Sequence, residues 1–178
     1  MENDKRLKRL YLALQKLNSQ LKEESIKTEV VLIGGWAGRF LLNDYRQTLD
    51  IDFLLARIND ASKERTWREL LFENGMEEVT VVEVPPVEEI ESHDVLEFSN
   101  LTVRIPTIEY FAVTKIFSER SKDAEDLIQQ KILENCDPEK LQKMFSLYKG
   151  DLINPNNMNH NFKTLEDVLR DYGINVDS

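Results

Sequence analysis

The stretch Val30 to Leu55, VVLIGGWAGRFLLNDYRQTLDIDFLL, sets two carboxylates, Asp50 and Asp52, into an otherwise apolar run shortly after a pair of glycines. Residues two apart on a strand project from the same face. Asp50 and Asp52 are therefore expected side by side, with Ile51 and Phe53 turned into a core on the other face. Like charges that close repel, and an uncompensated buried charge is strongly unfavourable, so the pattern calls for a partner. Mg²⁺ suits it, because Mg²⁺ takes one or two protein carboxylates and completes its shell with water and phosphate oxygens. The glycines supply the complementary half. EVVLI reads as a strand ending at Gly34-Gly35, and WAGRFLLN has helical spacing through Trp36, Phe40 and Leu41. A turn without Cβ atoms lets backbone N–H groups approach a phosphate at the start of that helix. Taken singly, D-x-D and G-G are more often structural. The order strand, G-G, short helix and then R-x-T-x-D-x-D on the next strand is what points to a metal and nucleotide site.

The rest of the chain limits the alternatives. Its 178 residues suit one domain with a real core plus an appendage. A formal charge of -10 and a pI near 4.8 argue against a general nucleic-acid-binding surface, so a polyanion must be met by a local patch. One cysteine, Cys136, and two histidines, His93 and His160, exclude an internal disulfide and a standard structural zinc site. The opening MENDKRLKRLYLALQKLNSQ lacks the apolar centre of a signal peptide, and no stretch reaches the length of a membrane span, so a soluble cytoplasmic protein is expected.

Leu7, Leu10, Leu14, Leu17 and Leu21 mark one face of an amphipathic first helix. LDIDFLLA reads as a second strand, DASKERTWRELLFENG as a helix stopped by Gly75, and EEVTVVEV as a third strand ended by Pro85-Pro86. VEEIES is an acidic loop, and HDVLEF and LTVRIP form a hairpin joined at Ser99-Asn100. Beyond Pro106 the pattern turns helical: TIEYFAVTKIFSE, SKDAEDLIQQKILENC, and PEKLQKMFSLYKG with Asp137 as N-cap and Pro138 at the first helical position. The asparagine-rich NPNNMNHN leads to a terminal helix, TLEDVLRDYG, with Thr164 and Asp167 spaced as a capping box and Gly173 as its stop. The expectation is an α+β core over residues 1–106, a mixed sheet flanked by helices. A helical part over 107–178 is expected to pack on the same core.

IGGWAGRFLL...YRQTLDIDFLL resembles the signature of the DNA polymerase beta-type nucleotidyltransferase superfamily, a glycine pair followed about a dozen residues later by D-x-D. The tryptophan after the glycines also resembles the small aminoglycoside nucleotidyltransferases. IPTIEYFAVTKIFSERSKDAEDL is similar to a pattern in bacterial and archaeal nucleotidyltransferase-like proteins, among them toxin components of abortive-infection systems. The resemblance spans roughly Val30 to Leu127. It implies a nucleotidyltransferase-like fold, Gly34 and Gly35 as the phosphate-binding turn, and Asp50 and Asp52 as ligands of Mg²⁺ or Mn²⁺. It also implies a third metal carboxylate on a neighbouring strand. Asp94 fits best, Glu83 is the rival and Glu97 a weaker one. Lys115 is implied to contact the nucleotide. Arg120, Lys122, Asp123 and Asp126 follow it in a cluster for which a salt-bridge network competes with a catalytic role. Arg46, ahead of the D-x-D strand, offers a guanidinium fork to a phosphate or a carboxylate. Where many members have Ser or Thr directly after the glycines this chain has Trp36, whose indole would instead line a base or acceptor pocket.

The expected activity is metal-dependent transfer of a nucleoside monophosphate from an NTP to a hydroxyl of an acceptor, whether small molecule, partner protein or RNA end. The rival is a catalytically inactive nucleotide- or partner-binding module on the same fold. A hydrolase using the same carboxylates is disfavoured by the lack of a His/Ser constellation.

Overall fold

The computed structural model describes residues 2–79 and 86–178. They group into two compact units, one built from residues 2–79 and 92–106, the other from 86–91 and 107–178.

In the first unit, helix α1 (Glu2–Glu23) precedes the central strand β1 (Thr28–Ile33). Then come the short helix α2 (Gly34–Leu41), β2 (Ile51–Ile58), α3 (Glu64–Glu73) and β3 (Met76–Glu78), and finally the pair β4 (Ser92–Glu97) and β5 (Leu101–Pro106). The strands form a mixed sheet in the order β3-β2-β1-β5-β4. β1 runs antiparallel to β2 and parallel to β5, β2 is parallel to β3, and β4 is antiparallel to β5. Residues directly opposite each other share a face. The registers Leu32↔Phe53, Val30↔Val103 and Leu96↔Val103 therefore define one apolar face, all of it buried. Leu10, Leu14, Leu17 and Leu21 are buried along α1, which packs on β5 and α3, so the leucine stripe has the role its period predicts. α3 is tied to β3 by Trp67, whose indole N–H donates to Glu78 Oε2 at 2.8 Å. The β4–β5 hairpin turns at Ser99-Asn100 as expected, and Phe98 N–H donates to the Leu101 carbonyl at 2.8 Å.

The second unit is helical: α4 (Ile108–Ile116), α5 (Ser121–Gln129), α6 (Ile132–Asn135), α7 (Pro138–Lys149), α8 (Asn161–Thr164) and α9 (Glu166–Asp171). Phe117, Phe145 and Phe162 meet in its core, with ring centroids 5.3–5.8 Å apart. Asp137 caps α7 by accepting from Lys140 N–H at 2.9 Å, with Pro138 at the first helical position, as the sequence predicts.

Three local expectations need correction. The expected helix over 121–136 is broken into α5 and α6 because Lys131 takes the left-handed conformation, φ +56°, and ends the first run. The capping box does not form, since Thr164 closes α8 and its hydroxyl donates to the Asn161 carbonyl, leaving Leu165 as the cap of α9. The expected third strand is a strand over Met76–Glu78, and its later part lies outside the described residues.

Candidate active site

The register pair Ile33↔Asp52 places Asp52 where β1 ends and α2 begins. Gly34, the first residue of α2, has φ +63°, a conformation that glycine adopts without penalty. A Cβ there would also run into the Asp52 carboxylate at Oδ2. The glycine turn and the D-x-D strand are thus in direct contact. The N-cap residue of α2 is Ile33, which has no side-chain acceptor for the amides of the first turn. Those amides form the positive end of the helix, which favours an anion, and the Asp52 carboxylate lies beside them at Gly34.

Asp50 is exposed and immediately precedes β2, while Asp52 is half-buried within it. Ile51 and Phe53 are buried, so the alternation inferred from the spacing holds. One exposed and one half-buried carboxylate at a strand mouth match the chemistry of Mg²⁺, which keeps waters and accepts substrate oxygens. Among the described residues, no group of three or more His, Cys, Asp or Glu is arranged to hold a metal ion.

The expected third carboxylate is not brought to the pair. Asp94 lies on edge strand β4, three strand spacings from β2, a lateral separation of about 14 Å. Its register partner is Ile105, which puts it on the sheet face opposite to Asp52, and its Oδ1 accepts from Val95 N–H at 2.8 Å. The physical reason is strand order: β5, not β4, pairs with β1. Glu97 is exposed on the same edge strand, and Glu83 lies outside the described residues. On the Asp52 face, β5 instead presents Arg104, paired to Glu29 at 3.5 Å and donating from Nε to Ser92 Oγ at 2.9 Å.

Trp36 does not line an open pocket. It is 1% exposed, lies under the Arg39 guanidinium at 4.6 Å, and its Nε1 has no hydrogen-bond partner among the described residues. Arg46 is half-buried in the segment leading to β2, its guanidinium 5.6 Å from the Tyr45 ring centre.

Lys115, in the second unit, is buried rather than displayed. Its ammonium donates to Asp123 Oδ1 at 2.7 Å and to Asp126 Oδ2 at 3.0 Å. Ser118 Oγ donates to Asp123 Oδ2 at 2.7 Å, and Arg120 stands 3.9 Å from the same oxygen. The Asn161 side chain ties down the carbonyls of Lys115 and Arg120 at 2.9 and 3.1 Å. This is the salt-bridge network that the spacing of the cluster allowed, with Lys122 outside it and exposed.

One residue received no role from the sequence although it stood within the quoted motif. Thr48 packs against Gly35, and its position two residues before Asp50 was the available signal.

A strand feeding a glycine turn and short helix, with D-x-D on its antiparallel neighbour at that turn, defines a nucleotidyltransferase-like protein. The chain belongs to the family described as nucleotidyltransferase of unknown function (DUF6036), which matches residues 6–172. A search of curated proteins finds none that matches. Among the described residues, no helix is long and apolar enough to cross a membrane.

Proposed function

We propose that the chain transfers a nucleoside monophosphate from an NTP to a hydroxyl of an acceptor, with Asp50 and Asp52 holding Mg²⁺ or Mn²⁺ against the triphosphate. The observation that carries this reading is the contact between Asp52 and Gly34, which brings one carboxylate of the D-x-D motif to the glycine turn at the start of α2. The cation, when bound, neutralises phosphate charge and stabilises the oxygens that enter and leave. The Gly34-Gly35 amides bind phosphate oxygens, and the Arg46 guanidinium balances the charge that develops on the leaving group. The acceptor oxygen bonds to the α-phosphorus, the bond to the pyrophosphate oxygen breaks, and the hydroxyl proton passes to solvent. Lys115 is left out of this scheme because two carboxylates of its own unit hold its ammonium. The acceptor is a small molecule, a protein or an RNA end, and the acidic balance of the chain disfavours the last. The sequence resemblance supports a toxin-like use of the transfer.

A second reading, a nucleotide-binding module without turnover, is favoured by the position of Asp94 and by the lack of a three-carboxylate group among the described residues. One experiment separates the two. Each NTP is titrated with Mg²⁺, with Mn²⁺ and with excess chelator, on the wild type and on Asp50→Asn/Asp52→Asn. Labelled NTP is then incubated with cell extract. Cation-dependent binding lost in the double variant, followed by label transfer, is the expected result. Binding without transfer supports the module, and equal binding in chelator sinks the metal site.

A further inference from the structure

The glycines of α2 have a second use that phosphate binding does not explain. An ideal Cβ on Gly35 would lie 2.6 Å from both Cβ and Cγ2 of Thr48 and 2.9 Å from its Oγ1. A Cβ on Gly38 would lie 2.6–2.7 Å from ring atoms of Tyr45. One on Gly34 would collide with Asp52. Each glycine of the G-G-x-x-G run is therefore a seat for one residue of the Y-x-x-T-x-x-x-D run that follows. Contacts this close require a bare Cα, and they join the two motifs into one interlocked piece. Gly35 in particular is buried, with Thr48 covering its Cα. Threonine suits the seat because its β-branched side chain is stiff at χ1 and fills it with three heavy atoms in one orientation.

We propose that Thr48 is a positioning residue, which seats the approach to β2 on Gly35 and thereby fixes Asp50 and Asp52 relative to the glycine turn. The proposal rests on reading the D-x-D pair as a cation site. Its content is that shape, rather than the hydroxyl, is what position 48 supplies. Thr48→Val keeps the shape and removes the hydroxyl. Thr48→Ala opens the seat, and Gly35→Ala fills it from the other side. Gly35→Ala/Thr48→Gly moves the missing Cβ from one partner to the other.

The test measures Mn²⁺ affinity by electron paramagnetic resonance without nucleotide, thermal midpoints, and hydrogen exchange of the Gly34 and Asp52 amides by NMR. Supporting group displacements of an ångström suffice to spoil a site, so Thr48→Ala is expected to weaken Mn²⁺ binding about tenfold at a nearly unchanged midpoint. Thr48→Val is expected to stay within about twofold of wild type, since the filled shape is retained. Gly35→Ala is expected to lose affinity, and the double variant to regain it. A Thr48→Val as weak as Thr48→Ala, or a double variant no better than Gly35→Ala, overturns the proposal. If the wild type binds no Mn²⁺, the cation-site reading fails by itself and exchange decides the positioning. Faster exchange at Gly34 and Asp52 in Thr48→Ala than in Thr48→Val upholds it, and equal exchange overturns it.

Discussion

Two aspartate pairs, one in each unit, show how differently the same side chain is used. Asp50 and Asp52 stand two apart at the mouth of a strand, Asp50 exposed and Asp52 half-buried against the first residue of a helix. Asp123 and Asp126 stand three apart on α5 and close on a single ammonium, that of Lys115, whose side chain is 4% exposed. In the strand pair Asp50 is exposed and Asp52 lies against Gly34, and a cation is proposed to meet them there. The helix pair is neutralised in part from within, Ser118 donates to Asp123, and Asn161 holds the Lys115 backbone. An exposed carboxylate is cheap to keep, whereas a buried pair closed on one ammonium is a structural commitment that fails badly if one member is lost.

The most damaging test of that contrast is Lys115→Met. It leaves two carboxylates without their buried ammonium, with the exposed Arg120 3.9 Å from one of them, and urea unfolding should show a loss of about 3–5 kcal/mol, the usual penalty for breaking a buried pair from one side. Adding Asp123→Asn and Asp126→Leu removes the stranded charge and should return a large part of the loss. A cost for Lys115→Met below about 1 kcal/mol, in the range of exposed pairs, would erase the distinction between the two regions.

A second group in the helical unit sharpens the comparison by being buried near a carboxylate, that of Glu109, instead of an ammonium. Cys136 donates from Sγ toward the Ile132 carbonyl at 3.2 Å. Burial first, and then the charge of Glu109, pushes its thiol up to about 12. The folded-state value is raised, so its contribution is complete below the ordinary thiol range and is lost as pH rises through the folded value. Between about pH 9 and 12 the unfolded chain sheds the proton and the folded chain keeps it. This adds a destabilising slope on the order of 1 kcal/mol per pH unit. Cys136→Ala should be less stable at neutral pH from lost packing, yet its stability should fall less steeply across that alkaline range. Parallel slopes in the two proteins would show that the thiol is not held neutral by the fold.

The sequence carried the local pieces of the open site well and the long-range ones poorly. Strand, glycine turn and D-x-D are written in period and spacing, and the structure brings Gly34 and Asp52 into contact. Asp94 is the expected third carboxylate, but the hairpin that carries it pairs with β1 through β5, and order along the chain does not determine which strand pairs with β1. That is decided by the parallel β1–β5 ladder, a non-local choice. The place of Trp36 directly after the glycines predicts a pocket residue, but its side chain goes into the core. Lys131 gave no compositional warning that it would break a helix, since a positive φ at a lysine is imposed by packing on either side. The family match is to the nucleotidyltransferase class, and the toxin-like and aminoglycoside-like resemblances of shorter motifs stay at the level of sequence.

The smallest expected effect is the stability change of Asp50→Asn/Asp52→Asn, and its smallness is what makes it informative. Asp50 is exposed, so its replacement should change little. Asp52 loses its charge beside the N-terminus of α2, an attraction worth about 0.3–1 kcal/mol, while asparagine keeps an acceptor oxygen in the same place. Against that loss stands the relief of repulsion between two neighbouring carboxylates, of similar size and opposite sign. The net change in urea should fall within about 1 kcal/mol of zero while cation-dependent NTP binding disappears. A loss above about 2 kcal/mol would mean that the strand pair, like the helix pair, holds the fold together, and the open site would have to be read as structure.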